Sequence, residues 1–376
     1  MQWKSQINYQ DPRTRTYLGS PSIVRLPSGA LLASNDYFGD FPDEHFHLTG
    51  LFRSQDNGET WQHVTHLSST FWSNLFLHRG KLYLMGTSRK FGDIIIRRSD
   101  DEGFTWTAPV DENSGLLYTG GKGMTPPNYH CAPMPVVEYD GRLYRAYEDM
   151  DPPVRPIGFK SFVVSCPADA DLLLAENWTM SNQVVYDQDA DSPDWGGEAG
   201  VGWLEGNVVR GPNGLVNLIR LTTFPVWDKA AMLTISDGGK KTSFDSSGFV
   251  ELPGGSHKFT VRRDEVTGLY VTLVNKGEDP EQHVLREKLS VFASEDLRNW
   301  FHVKTLMEDD LIEDVELSRK KTGFQYADWQ FDGDDLIYVV RTSYDGAHTF
   351  HDSNLIVYGV LNDFRDKVEE KRKIYL

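Results

Sequence analysis

SIVRLPSGALLAS (residues 22–34), NLFLHRGKLYLMG (74–86) and PVVEYDGRLYRAY (135–147) repeat one phrase: an alternating apolar run, a turn holding Gly29, Gly80 or Gly141, and a second apolar run. Alternation with period two places apolar side chains on one face of an extended strand, and a glycine between two such runs supplies the positive φ of a tight hairpin. The phrase returns around Gly214, Gly268 and Gly333, so there are six copies, spaced on average roughly 61 residues apart. That is room for one four-stranded sheet per copy. Six such units need about 365 residues and a seventh would need about 426, whereas the chain has 376. The spacing predicts an all-β protein, a six-bladed β-propeller in which radial repetition protects the sheet edges. Residues 1–376 read as one domain, with 1–19 predicted to supply the closing strand of the last blade. TGGKGMTPPNYH (119–130) reads as a long loop between the second and third blades.

Composition narrows the function. The chain carries 55 acidic residues against 38 Lys and Arg, a net charge of −17. A polyanion binder needs a basic surface, so nucleic acid is not an expected partner. With 39% hydrophobic and 12% aromatic residues there is ample material for a core. No run approaches the ~18 to 20 apolar residues of a membrane helix, and no membrane partner is expected. The N-terminal stretch lacks the apolar segment of a signal peptide. The expected location is the cytoplasm, or the periplasm or exterior if a leader has been removed. Cys131 and Cys166 are too few for a disulfide framework or a zinc knuckle and read as reduced and buried. GxGxxG after a strand, P-loop and HExxH motifs are all missing, so no cofactor is expected. His45 and His47 would share one face of a strand but have no third ligand nearby, and no metal site is assigned.

SQDNGETW (54–61) and SDDEGFTW (99–106) carry a second phrase, Ser-x-Asp-x-Gly-x-Thr-Trp. Its Ser and Asp side chains can bond the turn backbone, its Gly permits positive φ, and its Trp can fill the gap between blades. Degraded versions occur at Ser294, Asp296 and Trp300, at Ser165, Asp171 and Trp178, and at Ser236-Asp237-Gly238. The phrase resembles the Asp-box of sialidase-like propellers, and the chain is similar to a divergent member of that superfamily along its whole length. Asp-boxes belong to the scaffold, so the chemistry must come from the central funnel.

In that superfamily a Glu opens a strand and an Arg closes its hairpin partner. Glu205 stands nine residues before Gly214 and Arg220 six after it. Arg341 holds the equivalent strand end in the last repeat. The third repeat offers His130 and Glu148, the fifth Lys258, the sixth Asp328 with Trp329, and the first Asn35 and Asp36. The resemblance implies a glycoside hydrolase acting exo on a terminal, acidic sugar of an oligosaccharide or polysaccharide. Asp36 or His130 would protonate the glycosidic oxygen, and Glu205 would serve as base or as partner to a nucleophile. Arg220 and Arg341 would fix the anionic sugar, with Lys258, Asp328 and Glu148 as further substrate-binding residues. The family's tyrosine nucleophile is expected in RTSYDGAHTFHDSNL (341–355), where Tyr344 and His351 are the candidates.

The chain also departs from the pattern. The arginine of the family's first-blade Arg-Ile-Pro phrase is missing, and Leu18-Gly19-Ser20-Pro21 stands in its place. His130 with Arg220 resembles the His and Arg of propeller polysaccharide lyases, such as ulvan lyases, and of enzymes that release rhamnose from rhamnosyl-glucuronate. There the Arg neutralises a uronate, but the Tyr used by ulvan lyases is here replaced by Glu205. A glycan-binding propeller without catalysis is a third reading, in which Glu205 and Arg220 are a buried structural ion pair.

Overall fold

The computed structural model describes residues 2–42, 45–189, 195, 197–223, 226–279 and 284–375. Their strands form six antiparallel sheets, each built outward from one of the six glycine hairpins. The first blade is Thr16–Arg25, Leu31–Gly39, Leu48–Ser54 and Gln62–Ser68. The second is Phe71–His78, Lys81–Thr87, Ile94–Ser99 and Leu116–Tyr118. In the third, the inner strand is broken into Tyr129–His130 and Val137–Tyr139, followed by Arg142–Met150, Phe159–Pro167 and Thr179–Met180. The fourth comprises Gly202–Gly211, Gly214–Thr222 and Lys229–Ser236, with short outer strands Lys241–Ser243 and Phe249–Glu251. The fifth is Thr260–Arg263, Tyr270–Val274, Lys288–Ser294 and Trp300–Glu308. The sixth is Gly323–Asp332, Asp335–Ser343 and Leu355–Leu361.

The N-terminal strand Ser5–Tyr9 pairs with Leu355–Leu361 and completes the sixth sheet. Residues 1–19 are too long a boundary for it. A turn over Pro12–Thr14, capped by the Asp11 carboxylate accepting from Arg13 N at 2.9 Å, redirects the chain, and Thr16 already begins the first blade's innermost strand. Two helices lie outside the expected strands. Val315–Lys321 precedes the sixth blade, and Phe364–Tyr375 docks Phe364 and Val368 against the fifth and sixth blades. Two apolar positions four apart in a charged run give the second helix one buried stripe, a weak signal in sequence.

The apolar core consists of wedges between neighbouring blades, one at each junction around the ring. Trp203 and Trp329 are fully buried in two of these wedges. Trp329 donates from Nε1 to the Thr260 carbonyl at 2.9 Å, tying sixth blade to fifth. It is core and lines no sugar subsite; truncation to Ala would cost about 3–5 kcal/mol. The two full Ser-x-Asp-x-Gly-x-Thr-Trp turns close identically. Ser54 and Ser99 Oγ each accept from the glycine N at 2.8 Å, and Asp56 and Asp101 accept from Thr60 N and Thr105 N at 2.9 and 2.8 Å. The fifth-blade version keeps the plan, with Ser294 accepting from Leu297 N at 3.0 Å. Cys131 and Cys166 are buried free thiols. Among the described residues no helix is long and apolar enough to cross a membrane, and no group of three or more His, Cys, Asp or Glu could hold a metal ion.

Candidate active site

Four inner strands carry the same irregularity. Between Gly19 and Ser22, Phe71 and Asn74, Leu204 and Asn207, and Gln325 and Asp328, the inner strand has one residue more than its partner. The extra residue in each β-bulge adopts left-handed backbone: Ser20 at φ 46°, Trp72 at 48°, Glu205 at 60° and Tyr326 at 54°. Each non-glycine residue held this way costs on the order of 1–3 kcal/mol, and such strain gathers at functional sites. All four line a central cavity of about 570 Å³. The partner strand contributes the residue paired just before three of these bulges: Asp36 opposite Gly19, Arg220 opposite Leu204 and Arg341 opposite Gln325. Bulge and partner thus deliver side chains to the funnel as pairs.

The wall formed by blades four, five, six and one is charged. Tyr326 donates its hydroxyl to Glu205 Oε1 at 2.6 Å, while Arg220 donates to Oε2, also at 2.6 Å. Burial pushes the Glu205 carboxyl up, but Arg220, His130 and the Tyr326 hydroxyl outweigh it and hold the group below its ordinary range. Burial and the neighbouring Glu205 together raise Tyr326. Burial alone would lower Arg220, and Glu205 reverses that, so its net shift is upward. Arg286 bonds Gln325 and lies over the Tyr326 ring at 5.9 Å. Arg341 donates to Ser353 Oγ at 2.7 Å and to the His351 carbonyl, with its guanidinium 4.6 Å over Phe38 and 5.1 Å over Tyr326. Burial lowers Arg341 to about 10. A Cβ built on Gly19 would stand 4.0 Å from Arg341 Nη1. The sixth-blade arginine therefore approaches the first-blade stretch that lacks one.

The wall formed by blades two and three is aromatic. His130 is bracketed by Trp72, Phe159 and Phe91 at centroid distances of 4.4, 5.2 and 5.9 Å. Its Nδ1 meets Glu148 Oε2 at 2.8 Å, and Glu148 Oε1 accepts from Gly206 N at 2.9 Å. Glu148 therefore engages the Nδ1 side of a His130 that lines the cavity, and also pins the Glu205 bulge. Asp36 sits where the two walls meet, accepting from Thr49 Oγ1 at 2.6 Å and Trp72 N at 2.7 Å. Burial raises its carboxyl to about 7.

The residues expected at the site divide accordingly. Glu205, Arg220, Arg341, Asp36, His130 and His351 all line the cavity. His351 does so at the rim, half exposed, where Arg341 and then burial lower its imidazole. Glu148 is fully buried and positions His130 instead of facing a substrate. Asp328 is an inter-blade tie, accepting from Ser22 Oγ and Arg262 Nη2 at 2.8 Å and from Ile23 N at 3.0 Å. Lys258 is buried outside the lining, donating to Thr260 Oγ1 and the Ala327 carbonyl, with burial lowering it to about 8. Asn35 is buried beside the first hairpin, its amide donating to the Asp36 carbonyl at 3.0 Å. Tyr344 lies away from the funnel, bonded to Asp310 and packed edge-on against Trp3 at 5.2 Å.

Sequence reading missed Tyr326, Arg286 and Trp72. A signal for two of them existed. Tyr326 and Trp72 precede their turn glycines by seven and eight residues, close to the nine that separate Glu205 from Gly214.

No protein-family model matches the sequence, and no curated protein does. Among solved structures the chain is similar to an α-L-arabinanase from Penicillium chrysogenum complexed with arabinobiose, with TM-score 0.59 and 16% identity over 97% of this chain and 98% of that one. It is similar to an intramolecular trans-sialidase from Ruminococcus gnavus in complex with oseltamivir carboxylate, with TM-score 0.56 and 14% identity over 95% and 97%. A Trypanosoma rangeli sialidase in complex with sialic acid aligns with TM-score 0.55 and 14% identity over 99% of this chain and 59% of that one. The chain folds as a six-bladed β-propeller, the fold that these solved structures share.

Proposed function

We propose that this protein is a glycoside hydrolase acting exo on a terminal acidic sugar, with Tyr326 as nucleophile. The observation that carries the reading is the Tyr326 hydroxyl donating to an ionised Glu205 whose other oxygen is held by Arg220. A phenol raised by burial is a poor nucleophile until a base takes its proton, and Glu205 stands at hydrogen-bond distance to do so. Tyr326 oxygen then bonds the anomeric carbon as the glycosidic bond breaks, and Asp36, protonated below about 7, gives its proton to the departing oxygen. Water later attacks the anomeric carbon and gives a proton to the Asp36 carboxylate, the tyrosyl bond breaks, and Glu205 returns its proton to Tyr326, which restores the starting state. Arg220, Arg286 and Arg341 would hold the sugar's carboxylate, since planar guanidinium donors match that group. The structural neighbours, an arabinanase and sialidases, include neutral-sugar and acidic-sugar enzymes; three arginines on one wall favour the acidic class.

The test is release of the terminal sugar from glycans ending in sialate or glucuronate, followed by mass spectrometry of protein quenched during turnover. A sugar adduct on Tyr326 is expected. Turnover with full activity in Tyr326→Phe would overturn the mechanism.

One observation favours a second reading. His130, held by Glu148 at Nδ1 and lining the cavity, could remove the proton α to an arginine-neutralised uronate through Nε2, and the glycosidic bond would break by β-elimination. An unsaturated product absorbing in the near ultraviolet would select it. Tight glycan binding with no product of either kind would select a non-catalytic propeller.

A further inference from the structure

We propose that the aromatic wall holds a second anion site, centred on Arg155, which receives a carboxylate or sulfate on the leaving unit of the glycan. This rests on the preceding assignment of the terminal acidic sugar to the opposite, arginine-bearing wall.

Arg155 lines the funnel from the loop between the second and third strands of the third blade. Its guanidinium lies 5.7 Å over Phe91 and 5.5 Å over Phe159, the rings that flank His130. Among the described residues no carboxylate pairs with it, in contrast to Arg220 on the far wall, which is paired with Glu205. An aromatic face attracts a guanidinium without cancelling its charge, so the donors stay available to a ligand. The loop is braced for this. Asp151 N donates to the Gly158 carbonyl at 2.9 Å, Gly158 N to the Val154 carbonyl at 2.8 Å, and Lys160 pairs with Asp151 at 2.6 Å. In a chain of net charge −17, cations on both walls of one cavity are not the background composition. With the scissile bond between the walls, a glycan anionic on both sides of that bond satisfies both.

The experiment measures binding to Tyr326→Phe protein, with and without Arg155→Ala or Arg155→Lys. The probes are glycans ending in sialate or glucuronate, each with its leaving unit neutral, carboxylated or O-sulfated. In the Arg155-containing protein the anionic leaving units should bind about tenfold tighter than the neutral one, with the advantage shrinking as salt rises. Arg155→Ala should abolish that preference and leave neutral leaving units unchanged, and Arg155→Lys should keep part of it. The carboxylated and sulfated arms show which anion is preferred. Equal binding of all three leaving units, or a preference that survives Arg155→Ala, overturns the inference while leaving the Tyr326 and Glu205 chemistry standing. If the acidic termini bind but parent protein turns none over, the hydrolytic reading fails, and the Arg155 preference is still read from the binding. If none of the probes binds, both fail.

Discussion

The two walls of the funnel are built from opposite materials. On the arginine wall nearly every charge is spoken for: Glu205 takes Arg220 and Tyr326, Arg286 takes Gln325, and Arg341 takes Ser353 and the His351 carbonyl. On the aromatic wall the Arg155 guanidinium rides over the Phe91 and Phe159 rings, and the His130 and Glu148 pair is buried behind the surface. An interlocked network fixes reacting groups at the spacing chemistry needs, because each member's position is set by several partners. A guanidinium held over aromatic faces keeps its donors available to a ligand and so contributes affinity more than rate. In the proposed reading, bond breaking belongs to the first wall and recognition of the remainder of the glycan to the second.

The largest effects should come from the interlocked wall. Tyr326→Phe and Glu205→Gln should each lower kcat by about 10²–10⁴-fold with little change in KM. Steady-state kinetics check this, and a KM effect alone would move the chemistry off that wall. Next comes Asp36, at the seam. Asp36→Asn should cost about 10²-fold on natural glycosides and far less on an activated aryl leaving group, which needs no proton. Activity of the parent should rise through a limb below the ordinary Glu range, set by Glu205, and fall as pH passes about 7, where Asp36 loses its proton. Thermal melts add a second reading of the same group. The folded protein keeps Asp36 protonated up to about 7, whereas the unfolded chain releases that proton near 4. Stability relative to Asp36→Asn should therefore decline between those values and level off above them.

Arg341→Ala should raise KM for acidic termini by about 10–100-fold, the loss of one or two charge-assisted hydrogen bonds. Neutral termini should be untouched, and an equal loss on both would mark Arg341 as a structural brace of the Ser353 turn. Smallest is Tyr344→Phe, whose hydroxyl meets Asp310 outside the funnel. It should leave kcat and KM within about twofold, and a large loss would mean that the catalytic wall extends to the N-terminal strand.

Glu205 and Arg220 were legible because they lie in one hairpin whose turn glycine marks their place, nine residues before and six after. The segment following Arg341 puts Tyr344 outside the funnel, whereas Tyr326, the tyrosine that lines it, sits on the inner strand like Glu205. The bulges explain the misplacements. One extra residue between Gln325 and Asp328 shifts which side chains face inward, so Tyr326 enters the funnel and Asp328 turns into the junction between blades. The inner strand of the fifth blade begins at Thr260, and Lys258, just before it, is buried beneath the sixth-blade carbonyl of Ala327.

Blade number, strand direction and the two well-formed serine-aspartate turns were present in the linear chain, because turn glycines, period-two alternation and side chain to backbone bonds act over a few residues. The site was not. Tyr326 meets Glu205 across 121 residues, and His130 reaches the funnel only through Glu148 and the ring of blades. Which side chains converge depends on bulges and on closure of the ring by Ser5–Tyr9, and these are settled by packing between blades, which no local window of sequence contains.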